Sequence, residues 1–233
     1  MKEKFIKRKI IRWLSSKKIV RSSKLCAFII FGFWPKNRFR KTLWDNTTIL
    51  FKKALDKWVN QGDTVLEIGA GEIAIMSIYL RKKKEVNITA ADIVPEFVQN
   101  AKKNVEKQKL DIKVVQSDLF SNIKGKFDLI FSNPPYVPTS KLNIKKETNF
   151  HGLSSSKVAK IISDGGNDGL KIIEKMLSQS KNFLKKEGRI LLGFNTHFIN
   201  INTMKEIIKK SGLKYVTRLK SDYSGCNIVM ITK

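Results

Sequence analysis

Thr64-Val65-Leu66-Glu67-Ile68-Gly69-Ala70-Gly71-Glu72 is the stretch that decides the fold. A short, mostly apolar run stops at two glycines, and helical periodicity takes over from Glu72: a buried strand, a sharp turn and a helix start. The glycines permit the turn and let a ligand approach the backbone closely. Working outward, the same alternation recurs. Apolar runs stand at Val86–Ala91, Ile112–Val115, Phe127–Phe131, Arg189–Leu192, Leu213–Leu219 and Asn227–Thr232, with helical patterns over Glu72–Lys83, Pro95–Gln108, Gly169–Lys185 and Asn202–Ser211. Pro95 suits a first helical position, and Glu96 beside it favours the positive end of the helix dipole. Seven strands with interleaved helices predict an α/β fold with a doubly wound, mostly parallel sheet.

At 233 residues the chain has room for one such domain, taken as residues 46–233, and a short extension, residues 1–45. Its net charge is +26, and residues 1–41 carry fourteen Lys or Arg against one acid, Glu3. Within this arm Ile6, Ile10, Trp13 and Leu14 recur at helical spacing, and residues 25–34 are ten consecutive apolar residues. Ten is half of the roughly twenty that a membrane-spanning helix needs, and the run ends in Trp34-Pro35-Lys36 without a small-residue cleavage site. The arm is therefore expected to be retained, with its apolar face packed on the domain. RNA or ribosome contact and, less favoured, peripheral membrane contact stay open. Cys26 and Cys226 have no paired spacing, and His151 and His197 are too few for a zinc site, so no metal is expected and the compartment reads as reducing and cytoplasmic.

The glycine turn admits two cofactors. Gly69, Gly71 and Ala74 satisfy the dinucleotide pattern G-x-G-x-x-G/A, and Asp92 falls where a ribose-binding acid belongs. Against a nicotinamide cofactor, Glu72 would set a carboxylate where a pyrophosphate should bind, and the chain has no room for a second domain. Ser117-Asp118-Leu119 also closes the third strand with an acid suited to an adenine amine. A second local feature is Asn133-Pro134-Pro135-Tyr136, directly after the strand Phe127–Phe131 and Ser132. Two prolines end the ladder and offer carbonyls without N–H groups, between a side-chain amide and an aromatic ring. Such a site accepts N–H bonds from a flat group.

Taken together, Glu67, Gly69, Gly71, Asp92, Asp118 and Asn133-Pro134-Pro135-Tyr136 resemble, in order and spacing, the class I S-adenosylmethionine-dependent methyltransferases, with their Rossmann-like sheet. The resemblance implies S-adenosyl-L-methionine as cofactor, with Gly69, Ala70 and Gly71 under its methionine part and Glu67 near its amino group. It implies that Asp92, with Ile93 beside it, binds the ribose hydroxyls and that Asp118 and Leu119 hold the adenine. Ile73 stands where many members carry a third small residue, and either narrows the pocket or alters helix packing. Asn133, Pro134, Pro135 and Tyr136 are then the catalytic group. Asn133 and the Pro134 carbonyl would orient a planar nitrogen, with Tyr136 stacked on its plane.

Gly165-Gly166-Asn167-Asp168-Gly169-Leu170 resembles a segment of the HemK family of protein glutamine N5-methyltransferases. Locally it reads as a glycine turn launching a helix, with Asp168 as N-cap. The resemblance implies a protein amide as acceptor, on a translation-associated protein. An adenine N6 or guanine N2 of RNA, or a small-molecule nitrogen, stays open. Residues 139–165 lack periodicity and follow the Asn-Pro-Pro-Tyr motif, so they are expected to be a loop or a lid.

Overall fold

The computed structural model describes residues 18–39, 41–151, 153, 155–221 and 224–233. Ile6, Ile10, Trp13 and Leu14 lie outside them. Seven strands, β1 (Thr64–Ile68), β2 (Asn87–Asp92), β3 (Ile112–Gln116), β4 (Phe127–Ser132), β5 (Leu184–Asn195), β6 (Lys214–Lys220) and β7 (Cys226–Thr232), make one sheet in the order β3-β2-β1-β4-β5-β7-β6. β7 runs antiparallel between β5 and β6, and β1 to β5 are parallel. The helices of the described residues are α1 (Lys18–Ser22), α2 (Lys24–Phe31), α3 (Asn46–Trp58), α4 (Ile75–Lys83), α5 (Pro95–Lys107), α6 (Ile144–His151), α7 (Ser156–Ser163), α8 (Lys171–Ser180) and α9 (Ile201–Lys210).

Alternation along the strands builds two cores. Val65, Leu129, Phe131 and Leu191 face α2, α3, α4 and α5, while Leu66, Ile68, Ile130, Ile190 and Leu192 face α8 and α9. Strands covered on both faces need apolar residues at nearly every position, which is why they read as continuous runs. Ala27, Phe31 and Phe33 are buried in the first core beside Leu43 and Trp44. The arm thus packs one face on the sheet domain.

Three differences from the sequence reading have a physical cause in the fold. The first helix after β1 begins at Ile75, because Gly71 and Ala74 adopt positive φ of 67° and 52° and keep the chain in a turn. The helix expected to run to Lys185 ends at Ser180, since Leu184 pairs with Phe127 and is drawn into β5. Residues 139–165 hold a 3₁₀ turn (Thr139–Lys141) and the helices α6 and α7. Asn143 and Ser155 cap the two helices by accepting from Lys146 and Val158 backbone N–H groups at 2.9 and 3.3 Å. Leu153 and Ala159 are buried against Val94 and Phe97, so this segment is docked on α5.

Candidate active site

Sheet register brings the singled-out residues into one row. Ile68 pairs with Ala91 and with Ser132, Asp92 with Gln116, and Ser132 with Leu192. Gly69, Asp92, Ser117 and Asn133 therefore stand at neighbouring carboxyl ends, at the reversal of strand order between β1 and β4, where doubly wound sheets bind ligands. Ser132 Oγ donates to Ile68 O at 2.8 Å and ties the two central ends together. A cavity of about 250 Å³ opens there, lined by Glu67, Gly69, Ala70, Gly71 and Asp92 from the β1–β2 side, by Ile93, Asp118 and Leu119 beyond β2 and β3, and by Asn133, Pro134 and Pro135 after β4.

On the β1–β3 side the turn is held by backbone bonds. Gly69 and Ala70 N–H groups both donate to Ala91 O, at 2.8 and 3.0 Å. Asp92, 7% exposed, accepts Gly71 N–H at 2.8 Å on one oxygen and Val94 N–H at 3.0 Å on the other. A Cβ built on Gly69, at φ +78°, meets nothing within 4 Å, so the backbone there faces open space. Glu67 is buried and accepts from the Ser77 backbone at 3.1 Å and from the Ser77 hydroxyl. Burial pushes its carboxyl up to about 8, hydrogen bonds from Ser77 oppose the shift, and the nearby Asp92 adds to it. Leu119 is held at φ +50°, where a branched side chain is rare; Ser117 Oγ steadies it by donating to Leu119 O at 2.8 Å. Asp118 is half exposed and pairs with Lys175 at 3.0 Å.

Two buried carboxylates, open space over a glycine turn and an apolar rim at Leu119 fit a cationic amino acid joined to a nucleoside. They give no cradle for a pyrophosphate. Glu72, however, does not exclude one in the way its position in sequence suggests. It is 1% exposed and turned away from the cavity, accepting the Arg38 and Phe39 N–H groups at 2.9 and 2.8 Å. Asn100 and Asn104 complete that clasp on Lys36 O, each at 2.8 Å, so this polar knot fixes the arm to α5. Ile73 is buried in the core and does not line the cavity, so it does not narrow the pocket.

On the β4–β5 side the Asn133-Pro134-Pro135-Tyr136 turn rests on other glycines. A Cβ on Gly193 would lie 2.8 Å from Asn133 Oδ1 and 2.7 Å from Phe51 Cε2. Cβ atoms on Gly165 and Gly169 would lie 2.8 Å from Tyr136 Cα and 2.5 Å from Tyr136 O. Val137 exchanges backbone bonds with this segment, its N–H to Ser163 O at 3.0 Å and its O from Gly165 N–H at 2.8 Å. Asp168 accepts Leu170 N–H at 2.9 Å in a local turn and does not cap α8, whose N-cap is Leu170. Tyr136, expected from the sequence to stack on the acceptor's plane, is half-buried and does not line the cavity as Asn133, Pro134 and Pro135 do; its ring centroid lies 6.1 Å from Phe198. Burial pushes its phenol up, with Asp45 and Cys226 adding repulsion and a hydrogen bond to Thr47 pulling the other way.

Sequence reasoning did not find the N-terminal wall of the cavity. Leu43, Asp45, Thr48 and Phe51 line it, and Asp45 also caps α3, accepting Thr48 N–H at 2.8 Å. The D-x-x-T spacing marks a helix start but carries no sign of the cavity. Gly193 was also missed; a glycine inside an otherwise apolar strand is the signal for a close approach. Ile161 and Ile162 of α7 close the rim. Among the described residues no group of three or more His, Cys, Asp or Glu could hold a metal.

The chain is 38% identical over 145 residues to a Methanocaldococcus jannaschii protein named among the protein N5-glutamine methyltransferases, covering 62% of this chain and 66% of that one. It is 31% identical over 168 residues to the release factor glutamine methyltransferase of Borreliella burgdorferi, covering 71% and 52%. The chain thus spans about half to two thirds of these relatives' length. A crystal structure of a methyltransferase from Pyrococcus furiosus superposes with a TM-score of 0.68 at 22% identity, over 92% of this chain and 95% of that one, and shows the shared fold. Residues 35–154 match the family described as Methyltransferase small domain, and the chain belongs to that family.

Proposed function

We propose that the protein is an S-adenosylmethionine-dependent N-methyltransferase whose acceptor is a planar nitrogen, foremost the side-chain amide of a glutamine on a translation-associated protein. The observation that carries this reading is the Ile68–Ser132 pairing, which sets the Gly69 turn and the Asn133-Pro134-Pro135 turn side by side on one cavity. The relatives named for glutamine methylation support the acceptor class. When bound, the cofactor supplies an electrophilic methyl group on a sulfonium.

The residues of this chain do the rest by positioning. Asp92 would hold the ribose hydroxyls, Asp118 and Leu119 would hold the adenine, and Glu67 would offer a carboxylate to the amino-acid end. An amide nitrogen is a weak nucleophile because its lone pair is delocalised. Asn133 Oδ1 and the Pro134 carbonyl accept its two N–H bonds, which turns the lone pair toward the cavity and draws off the positive charge that grows on nitrogen. Tyr136 anchors this turn against Thr47 and Phe198.

A second reading, a nucleobase nitrogen of RNA, is favoured by one observation. An open groove of about 1000 Å³ adjoins the cavity through Ile161 and Ile172, and five lysines, Lys157, Lys160, Lys171, Lys175 and Lys210, line it against three acids, Asp164, Asp168 and Glu174. Transfer of tritiated methyl groups into a cell extract separates the two. Label lost with protease and resistant to RNase is expected; label that survives protease and vanishes with RNase overturns the amide reading. Asn133→Ala should lower turnover about a hundredfold while leaving cofactor affinity within about twofold. Unchanged turnover in this variant would reduce the turn to a structural role.

A further inference from the structure

We infer that the outward face of α1 and α2 seats on a bilayer surface bearing anionic lipids. Eight large apolar side chains are exposed among the described residues, and five of them, Ile19, Leu25, Phe28, Ile29 and Trp34, fall within sixteen consecutive positions. Of the other three, Ile93 and Ile161 edge the cavity and Val216 lies on the outer strand β6. A concentrated apolar patch needs an explanation that scattered exposed residues do not.

The patch is preformed. Leu25, Phe28 and Ile29 share one face of α2 at i, i+3 and i+4 spacing, and Ala27 and Phe31 on the opposite face are 1% and 2% exposed in the core. Ser23 caps the start of the helix, accepting Cys26 N–H at 3.2 Å, and Gly32 ends it at φ +78°. Trp34 folds back so that its ring stacks on Phe28 at 5.0 Å and 18°. Exposure of Leu25 and Ile29, at 55% and 72%, is therefore a property of an anchored helix.

Charge selects the occupant. Residues 1–41 carry fourteen basic side chains against one acid, and Lys24, the first residue of α2, and Lys36, two residues after Trp34, are both exposed. A second copy would bring one +26 molecule against another, arm to arm. RNA satisfies the charge but offers Ile19, Leu25 and Ile29 no apolar phase to enter. A headgroup layer over acyl chains meets both needs: lysines and arginines in the phosphates, aliphatic and aromatic groups below them. No helix of the described residues is long and apolar enough to cross a membrane. This inference does not depend on the methyl acceptor.

Flotation of the full chain with vesicles tests it. The protein should float with vesicles of phosphatidylcholine containing phosphatidylglycerol, poorly with phosphatidylcholine alone, and less as salt rises. The double substitution Leu25→Ser and Ile29→Ser should weaken flotation about tenfold or more with the melting temperature unchanged. Three results overturn the inference: no flotation with anionic vesicles; equal flotation of wild type and double variant; or a wild-type dimer in sedimentation that the double variant converts to monomer. If the variant loses binding to an RNA homopolymer while neither protein floats, RNA takes the place of the membrane.

Discussion

The two halves of the site use glycine for opposite ends. On the half proposed for the cofactor, a side chain at Gly69 would meet nothing within 4 Å, and the space above it is open. On the half proposed for the acceptor, side chains at Gly165, Gly169 and Gly193 would strike Tyr136, Asn133 and Phe51, and the space they leave is filled by the protein itself. The first half is built to receive; the second is built to hold a rigid turn. Substitutions should therefore separate binding from stability and turnover.

The largest effect is expected at Gly169. An alanine there would be strained at φ +82° and would set its Cβ 2.5 Å from Tyr136 O, so Gly169→Ala should cost about 3 kcal/mol of stability. That corresponds to a fall of roughly 6–12 °C in melting temperature by calorimetry for a domain of this size. Gly69→Ala carries the backbone strain alone, about 1 kcal/mol, yet should weaken S-adenosylmethionine binding about tenfold by occupying its space. Equal destabilisation by the two variants, with equal cofactor affinity, would break the contrast.

A smaller effect sharpens it. With its carboxyl raised to about 8 from 4.5, Glu67 is protonated in the folded protein near neutral pH. The folded state then binds the proton more tightly than the unfolded one. The stabilising difference is full below pH 4.5 and is lost as pH rises through about 8. A cationic ligand favours the carboxylate, so its binding should release a proton and tighten severalfold between about pH 6 and pH 8. Titrations in buffers of different ionisation enthalpy read the proton directly. Glu67→Gln should flatten the pH dependence, and an unflattened profile would assign it to another group.

Much of this arrangement was legible in the sequence because it is local. The buried strand Thr64–Ile68 and the turn at Gly69 and Gly71 sit in one short stretch, and Asp92, Asp118 and Asn133 each end a recognisable apolar run. Residues 139–165 were not legible. Helices α6 and α7 have eight residues each, about two turns, too short for a 3.6-residue period to show; Leu153 and Ala159 pack on Val94 and Phe97, and Ser163 at the end of α7 donates to Glu147 of α6 at 3.1 Å. Glu72 was misread for a related reason. Its partners, the Arg38 and Phe39 backbone, lie 34 and 33 residues away, and no local pattern says that a carboxylate after a glycine turn will face backward. The cavity wall at Asp45 and Thr48 was hidden in the same way, since only the tertiary fold brings the start of α3 beside Gly69.

Calorimetric titration with S-adenosylmethionine tests the central claim most directly, run on wild type, Gly69→Ala and Asn133→Ala. A saturable heat is predicted for wild type, kept in Asn133→Ala and about tenfold weaker in Gly69→Ala. No heat and no rise in melting temperature for wild type at millimolar cofactor would contradict the account.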